Sequence, residues 1–331
     1  MSYLIISSTA PGAGRTTLAA ALAKRSSLNG LRTAVGVAFK SSDCPASDVD
    51  LKCLLPGMVS TQPERVKENV PSSEQIVSVG KTLSQLGQSN HVVIVEGLAG
   101  NFEADRALAE ELDAAILLVT RWDERVLESA SQYGNRLAGI VTNNVPQYKI
   151  KDVEIGLEKL VDVHDAPIWG WLPEARLMLS LSVRKYAEHL QGRFVCGEKL
   201  SDHLMENVLI GGMILDWGPH YFGSQANVGV LVRGDRPDIQ IAALQTDPPV
   251  RALILTNDTD PVEYVSYEAE RQEVPIVVVP GNTHESAAKL ESILGKARFD
   301  HPEKLEFALQ MVEKRLDLEA IDRVLTVAIT G

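Results

Sequence analysis

The chain has 331 residues, of which 45% are hydrophobic and 23% charged, and its formal net charge at pH 7 is −12. The length favours two domains, and the acidic balance excludes non-specific binding to nucleic acid or to anionic membranes, which requires a basic face. No apolar run approaches the roughly 20 residues of a membrane span, and no basic region precedes the first apolar residues as in a signal peptide, so we expect a cytoplasmic protein.

Short apolar runs alternate with helical segments in the first part of the chain. Buried strands are predicted at 3–8, 33–39, 91–97, 114–120, 137–145 and 167–172. Helices are predicted from Thr16 to about Gly30 and at 74–88, 105–112 and 124–136. Strands that are apolar on both faces and alternate with helices predict a parallel sheet covered on both sides.

The composition changes after about Gly192, and the charged stretch 193–204 is typical of a linker. A second series then begins, with strands predicted at 227–234, 250–258 and 274–282 and helices at 235–245, 262–272, 283–295 and 300–316. We therefore predict an α/β protein in which a doubly wound parallel sheet, residues 1–195, is followed by a smaller α/β domain, residues 205–318.

The turn after the first strand, TAPGAGRT from Thr9 to Thr16, has the position and composition of a phosphate-binding loop. In such loops, successive backbone N–H groups and a helix N-terminus converge on one anion. Gly12 and Gly14 supply the permissive backbone, and the Thr16 hydroxyl is placed to ligate Mg²⁺. Thr9 and Arg15 depart from the pattern G-x-x-x-x-G-K-[ST], and Arg is not a conservative replacement for Lys there. We predict phosphate binding with weakened hydrolysis; the alternative is a strand–turn–helix whose glycines only permit a tight connection.

Polar residues follow two other predicted strands at the same edge of the sheet. Lys40 ends the second predicted strand, Asp48 and Asp50 follow it, and Glu96 ends the strand HVVIVEG. Ligands of open parallel sheets bind beyond the carboxyl ends of the strands, and Mg²⁺ accepts one or two carboxylates there. The alternative for Asp48 and Asp50 is a solvated loop.

These residues carry a resemblance to dethiobiotin synthetase-like P-loop domains, and more closely to the version at the N-terminus of long bacterial phosphate acetyltransferases. The matching stretches are IISSTAPGAGRTT, VGVAFK at 35–40, Asp50, VVIVEGLAG at 92–100, GIVTNN at 139–144 and WGWLPEARLMLSLSV at 169–183. The second domain, with VLVRGDRPDIQIAAL and VPIVVVPGNTHESAAKL, resembles the DRTGG domain that follows in those enzymes. The resemblance extends from about residue 2 to about residue 318.

The resemblance implies ATP or another nucleotide and Mg²⁺ as cofactors. It places Gly12, Gly14, Arg15, Thr16, Lys40 and Asn143 at the nucleotide and Thr16, Asp50 and Glu96 at the metal. Asn143 matches the position that contacts the nucleobase, although a turn residue after a strand is the alternative. The resemblance also favours a homodimer, and the ligand would be a nucleotide or a small anionic metabolite.

The chain departs from the families that it resembles, and these differences limit the functional prediction. The second domain keeps only Asp235-Arg236 of the letters DRTGG and continues with Pro237-Asp238, and the chain ends where phosphate acetyltransferases continue into their catalytic domain. We therefore predict a nucleotide-binding regulatory or sensory protein and leave its status as an enzyme open. The alternatives are an ATP-dependent ligase of the dethiobiotin synthetase or cobyrinic acid a,c-diamide synthase type, in which ATP activates a carboxylate, and an interaction scaffold.

In the second domain, two predicted strand ends precede helices. Gly234 to Asp238 and Asn282-Thr283 could hold a small anion with the help of Arg236, or could serve only as helix caps, with Thr283 as the N-cap. His220 has no assignable nucleophile or partner acid, which favours a packing role.

Overall fold

The computed structural model describes residues 1–41, 47–59, 63–66, 70–122, 126–164, 167–212 and 217–326. The chain divides into two compact units, of which the first contains Met1–Glu174 with Phe299–Gly331 and the second contains Ala175–Arg298. Each unit is described below by itself. None of the helices in the described ranges combines the length and the apolar composition that a bilayer crossing requires.

The first unit is built on apolar strands that alternate with helices. Its elements are β1 (Ser2–Ser8), α1 (Arg15–Leu28), β2 (Thr33–Val37), β3 (Phe39–Ser41), α2 (Ser47–Leu54), β4 (Glu64–Val66), α3 (Ser73–Gly87), β5 (Val92–Glu96), α4 (Phe102–Leu112), β6 (Ala115–Arg121), α5 (Val126–Ser131), β7 (Leu137–Val145), α6 (Ile150–His164) and β8 (Ile168–Pro173). Two further helices, from the end of the chain, belong to this unit and are described below.

The central sheet of the first unit has the order β2-β5-β1-β6-β7-β8, and every neighbouring pair is parallel. Every residue of β1, β2 and β5 is buried, as expected for strands covered on both faces. The predicted doubly wound parallel sheet is therefore confirmed. Because β1 lies between β5 and β6, the loops that follow these three strands meet at one edge of the sheet.

Two predicted elements of this unit end earlier than the sequence indicated. The strand predicted at 33–39 stops at Val37. The Ala38 N–H still donates to the Glu96 carbonyl oxygen of β5 at 3.0 Å, but the chain then enters β3, which pairs only with β4 among the described residues. The helix predicted at 124–136 is α5 followed by a separate 3₁₀ turn, Gly134–Arg136. The first difference moves Lys40 off the main sheet.

The second unit contains a smaller mixed sheet. Its elements are α7 (Arg176–Leu179), β9 (Leu181–Ser182), α8 (Val183–Leu190), β10 (Arg193–Cys196), β11 (Leu204–Met205), β12 (Asn207–Gly211), α9 (Gly218–Phe222), β13 (Val228–Arg233), α10 (Pro237–Leu244), β14 (Ala252–Thr256), α11 (Glu263–Arg271), β15 (Ile276–Val278) and α12 (Thr283–Ile293). The sheet order is β10-β15-β14-β13-β12, parallel except for β10. The linker predicted at 193–204 is wrong in its first residues, because β10 pairs with β15 as an antiparallel edge strand.

The last helices of the chain, α13 (Pro302–Arg315) and α14 (Leu318–Thr326), return to the first unit. α13 packs on α1, and α14 packs on β1. Between them, the Asp317 N–H donates to the Trp169 carbonyl oxygen of the edge strand β8 at 2.7 Å. The units therefore divide the chain at Glu174 and Phe299, whereas the predicted domain bounds were 1–195 and 205–318. On the C-terminal side the difference arises because the apolar stripe of α13 is buried against the first unit. On the N-terminal side it arises because α8 packs on α12 in the second unit.

Candidate functional site

The loop between β1 and α1 depends on two glycines with left-handed backbone. Gly12 has φ +73° and Gly14 has φ +108°, a region that L side chains rarely adopt. A Cβ at Gly14 would also overlap the amide nitrogen of Asn143. The Thr9 hydroxyl forms a hydrogen bond of 3.1 Å with the Thr120 hydroxyl at the end of β6. The sequence GAG is thus required by the loop conformation, and Thr9 in place of Gly is tied to the neighbouring strand.

The N-terminus of α1 opens onto this loop without a cap. Gly14 is the N-cap residue, no side chain among the described residues caps the helix, and the first turn holds no acidic residue. By contrast, α3 is capped by Ser72 and α4 by Asn101. The first N–H groups of a helix need partners, and the helix dipole favours an anion at this end. The loop therefore has the backbone geometry and the electrostatic character of an anion site.

Thr16 and Glu96 lie side by side, as the sequence predicted. The Thr16 hydroxyl donates to Oε1 of Glu96 at 2.9 Å, which joins the first turn of α1 to the end of β5. Glu96 is 2% exposed. A hydroxyl and a carboxylate are oxygen ligands that Mg²⁺ accepts. The side chain of Asp50, the third predicted metal ligand, lies outside the described residues, as does that of Asp48.

The guanidinium of Arg15 lies against the same strand end. Its Nη1 donates to the Gly97 carbonyl oxygen, and its Nη2 is 3.8 Å from Oε1 of Glu96. Arg15 is 9% exposed. In this arrangement a guanidinium lies beside one of the two carboxylate oxygens that would ligate Mg²⁺, and its charge disfavours the ion at that oxygen.

Asn143 supports the loop from the end of β7. Its Nδ2 donates to the Ala13 carbonyl oxygen at 2.8 Å, and the residue is buried. The structure therefore brings Asn143 to the loop between β1 and α1, where its amide fixes the backbone between Gly12 and Gly14. Its contact with a nucleobase stays a prediction.

Lys40 lies on β3, where it is paired in register with Arg65 of β4 rather than with a strand of the main sheet. The expectation that it ends the second strand of that sheet is wrong, because β2 stops at Val37 and the chain then pairs with β4 as β3. The role of Lys40 at the nucleotide stays a prediction.

A buried polar network behind the loop was not predicted. Asp105 of α4 accepts hydrogen bonds from the Ser7 hydroxyl and, at 2.8 Å, from the Leu98 N–H, and Ser7 contacts the Tyr133 hydroxyl at 2.6 Å. These contacts tie the end of β1 and the segment after β5 to α4. A signal was present in the sequence: Asp105 occupies the stripe of buried α4 residues that includes Leu108, where an apolar residue is the norm.

Burial dominates the electrostatics of this network. It raises the pKa of Asp105 to about 6, against the opposing effects of the hydrogen bonds from Ser7 and Leu98 and of the Arg15 charge. Burial also raises the pKa of Tyr133, and the nearby Asp105 carboxylate adds to that rise.

The strand ends of the second unit are occupied by internal contacts. Arg236 forms two hydrogen bonds, of 2.9 and 2.8 Å, with the carboxylate of Asp238, and Arg233 pairs with Asp235 in the same way. Asn282, not Thr283, is the residue whose side chain caps α12, since its Oδ1 accepts from the Glu285 N–H at 2.9 Å. The Asn282 contact agrees with the capping alternative for α12, whereas no side chain among the described residues caps α10.

A comparison with protein-family models identifies a known domain in the second part of the chain. The family model described as the DRTGG domain matches residues 185–293, all within the second unit. The second unit thus contains a stretch that matches the DRTGG domain, as the resemblance implied.

Two curated relatives then show a similarity to phosphate acetyltransferases. Phosphate acetyltransferase of Synechocystis sp. is 23% identical over 245 residues, which covers 68% of this chain and 35% of the relative. Phosphate acetyltransferase of Pseudomonas putida is 24% identical over 283 residues, which covers 77% of this chain and 40% of the relative. The chain therefore spans well under half the length of these relatives.

Two solved structures are similar to this chain at lower sequence identity. MinD of Aquifex aeolicus shares 18% identity with a TM-score of 0.39, over 54% of this chain and 84% of that one. The CBS and DRTGG domains of Clostridium perfringens pyrophosphatase share 16% identity with a TM-score of 0.30, over 36% of this chain and 48% of that one.

Proposed function

We propose that the chain is a regulatory protein that binds a nucleotide at the loop between β1 and α1 and does not turn it over efficiently. The observation that carries the proposal is the uncapped N-terminus of α1 behind Gly12 and Gly14. Successive backbone N–H groups at such a helix end bind phosphate without help from side chains. The Thr16–Glu96 pair and the Asn143 amide hold this loop against the strand ends.

Arg15, which stands where P-loop enzymes have Lys, favours nucleotide binding without efficient hydrolysis. Phosphoryl transfer in P-loop enzymes uses a Lys at the β- and γ-phosphates and a metal ion held by the Ser/Thr of the loop. Here the residue is Arg, and its guanidinium lies on Gly97 and Glu96. The expected ligand is ATP or another nucleotide. Mg²⁺ at Thr16, Asp50 and Glu96, which the sequence predicts, requires Arg15 to give up its place beside Glu96.

The regulatory part of the proposal comes from the relatives, since the chain is similar to part of phosphate acetyltransferases. We expect the bound nucleotide to be read by a partner protein or by a second copy of the chain, with a homodimer as the resting state. Sedimentation velocity with and without nucleotide tests this point. A monomer under both conditions contradicts the dimer.

The direct test is binding calorimetry with ATP, ADP, GTP and acetyl phosphate, combined with an assay for phosphate release. A ligand at one hundred times its Kd raises the free energy of unfolding by about 2.7 kcal/mol, so a thermal shift gives a second readout. Binding without steady phosphate release supports the proposal. Absence of binding at millimolar ligand contradicts it, and steady release favours the ATP-dependent ligase instead.

A further inference from the structure

The Arg15 guanidinium is a buried cation held by two groups at the end of β5. One nitrogen donates to the Gly97 carbonyl oxygen, and the other lies 3.8 Å from the Glu96 carboxylate. Arg15 is 9% exposed and Glu96 is 2% exposed, so both charges are largely removed from water. A buried charge is costly unless it is paired and hydrogen-bonded, and each of these residues helps to stabilise the other.

The pairing involves one of the two Glu96 carboxylate oxygens that could ligate a metal. Oε1 of Glu96 accepts the Thr16 hydroxyl proton at 2.9 Å and is also the oxygen nearest to Arg15. Mg²⁺ binds its oxygen ligands at about 2.0–2.1 Å in near-octahedral geometry and keeps several waters. An ion placed there would lie within a few ångströms of the guanidinium, and the two like charges would repel each other in a site with little water to screen them.

We infer that Arg15 replaces the divalent metal at this site, so that the loop binds a phosphate-bearing ligand without Mg²⁺. This inference rests on the proposed function, because it concerns the same loop. The guanidinium, held by Gly97 and Glu96, supplies positive charge close to the loop. Efficient turnover is therefore not expected to follow binding, since the charge that a metal brings to the transferred phosphoryl group is missing.

The test compares nucleotide binding in excess EDTA with binding in excess Mg²⁺, by calorimetry on the full chain with ADP and ATP. For the native protein, we expect the two dissociation constants to differ by less than about threefold. Electron paramagnetic resonance of Mn²⁺ provides a second readout, and we expect no Mn²⁺ bound together with ADP. Tight binding that needs Mg²⁺, or one Mn²⁺ bound per nucleotide, overturns the inference and leaves the proposed function standing. Absence of binding in both buffers overturns both.

The variant Arg15→Lys identifies the residue responsible. An ammonium is a single cationic centre, whereas the guanidinium reaches Gly97 and Glu96 with two different nitrogens. We expect the Lys variant to leave Glu96 available to a metal and to bind at least about tenfold more weakly in EDTA than in Mg²⁺. A variant as insensitive to Mg²⁺ as the native protein shows that Arg15 is not the determinant.

The matched control is Arg25→Lys. Arg25 is a second buried arginine of α1, but its partner is Asp322 of α14 rather than the loop. We expect this control to lower stability and to leave the ratio of affinities in EDTA and Mg²⁺ unchanged; a changed ratio would contradict a specific role of Arg15. If Arg15→Lys fails to fold, the comparison of buffers on the native protein still decides the inference.

Discussion

Asp105 is a carboxyl group buried in the apolar stripe of α4. It accepts hydrogen bonds from Ser7 and from the Leu98 N–H, and the groups that face it from other elements are Tyr133 and the charge of Arg15. Burial raises its pKa to about 6, above the value near 3.9 of an unfolded chain. The folded protein therefore binds this proton more tightly than the unfolded chain does.

The stability that Asp105 contributes is thus present below about pH 4 and is lost as the pH rises through about 6. Relative to the variant Asp105→Asn, which cannot ionise there, we expect the native protein to lose about 2 kcal/mol of unfolding free energy between about pH 4.5 and pH 7.5. Urea denaturation across this range measures the difference. The control Glu110→Gln neutralises an exposed residue of the same helix, and an equal pH dependence of that variant would refute the assignment to Asp105.

Gly12 and Gly30 are a matched pair of glycines. Their φ angles are +73° and +81°, and a Cβ on either would meet no atom within 4 Å. An alanine at either position costs about 1–2 kcal/mol of stability through the left-handed backbone. Gly12 lies in the loop, whereas Gly30 follows the C-terminal end of α1.

We expect Gly12→Ala to weaken nucleotide binding by at least about tenfold, because the loop N–H groups can no longer converge on one phosphate. Gly30→Ala should lose similar stability and keep the native affinity. Calorimetry and urea denaturation on both variants measure the two effects. Equal affinities of the two variants would place the ligand elsewhere.

At the scale of elements, α1 is held between the sheet and the C-terminal helices. Its residues Leu18 to Ala23 are all at most 1% exposed, because β5 covers one side and α13 covers the other. On α14, the Asp322 carboxylate receives two hydrogen bonds from Arg25, one of them 2.8 Å long. The Lys24–Glu306 pair nearby is longer, at 3.8 Å, and more exposed.

The two ion pairs are expected to differ in energetic importance. Asp322→Ala leaves the buried Arg25 guanidinium without its carboxylate and should lower the unfolding free energy by about 1–3 kcal/mol. Glu306→Ala removes a partly solvated pair and should cost less than about 1 kcal/mol. Urea denaturation of both variants provides the comparison, and equal losses would mean that the bidentate pair does not fasten α14.

At the scale of the whole molecule, the first unit is discontinuous in sequence. The chain leaves it after Glu174 and returns at Phe299, and α13 and α14 then pack on α1 and β1. Segments that bury surface against one another open together, whatever their separation in sequence.

We therefore expect α13 and α14 to exchange amide hydrogens as part of the first unit. In hydrogen exchange with increasing urea, peptides from 302–326 should lose protection together with peptides from 1–28. Peptides from 228–278 report the second unit and serve as the internal reference. Loss of protection of 302–326 in step with that reference, and not with 1–28, would contradict the assignment of these helices to the first unit.

Much of the fold follows from local pattern. The apolar runs predict β1, β5, β7, β13 and β14 because strands buried on both faces need continuous apolar sequence. The alternation of strands with helices predicts parallel sheets, because parallel neighbouring strands need a crossover connection, which is usually a helix. By contrast, the end of β2 and the strand β10 depend on pairing with distant residues, of β3 with β4 and of β10 with β15. No local pattern contains those partners.

The candidate site divides in the same way. The sequence by itself predicted the loop, since Gly12 and Gly14 between an apolar strand and an alanine-rich helix allow the left-handed backbone that such a loop needs, and it placed Thr16 and Glu96 at one sheet edge. Only the tertiary structure decided where Arg15 points, that Asn143 fixes the loop, that Lys40 leaves the main sheet, and that α13 and α14 cover α1. The physical reason is that side-chain partners and helix packing depend on contacts between residues 80 to almost 300 positions apart in sequence, whereas strand burial and loop conformation are set within a few residues.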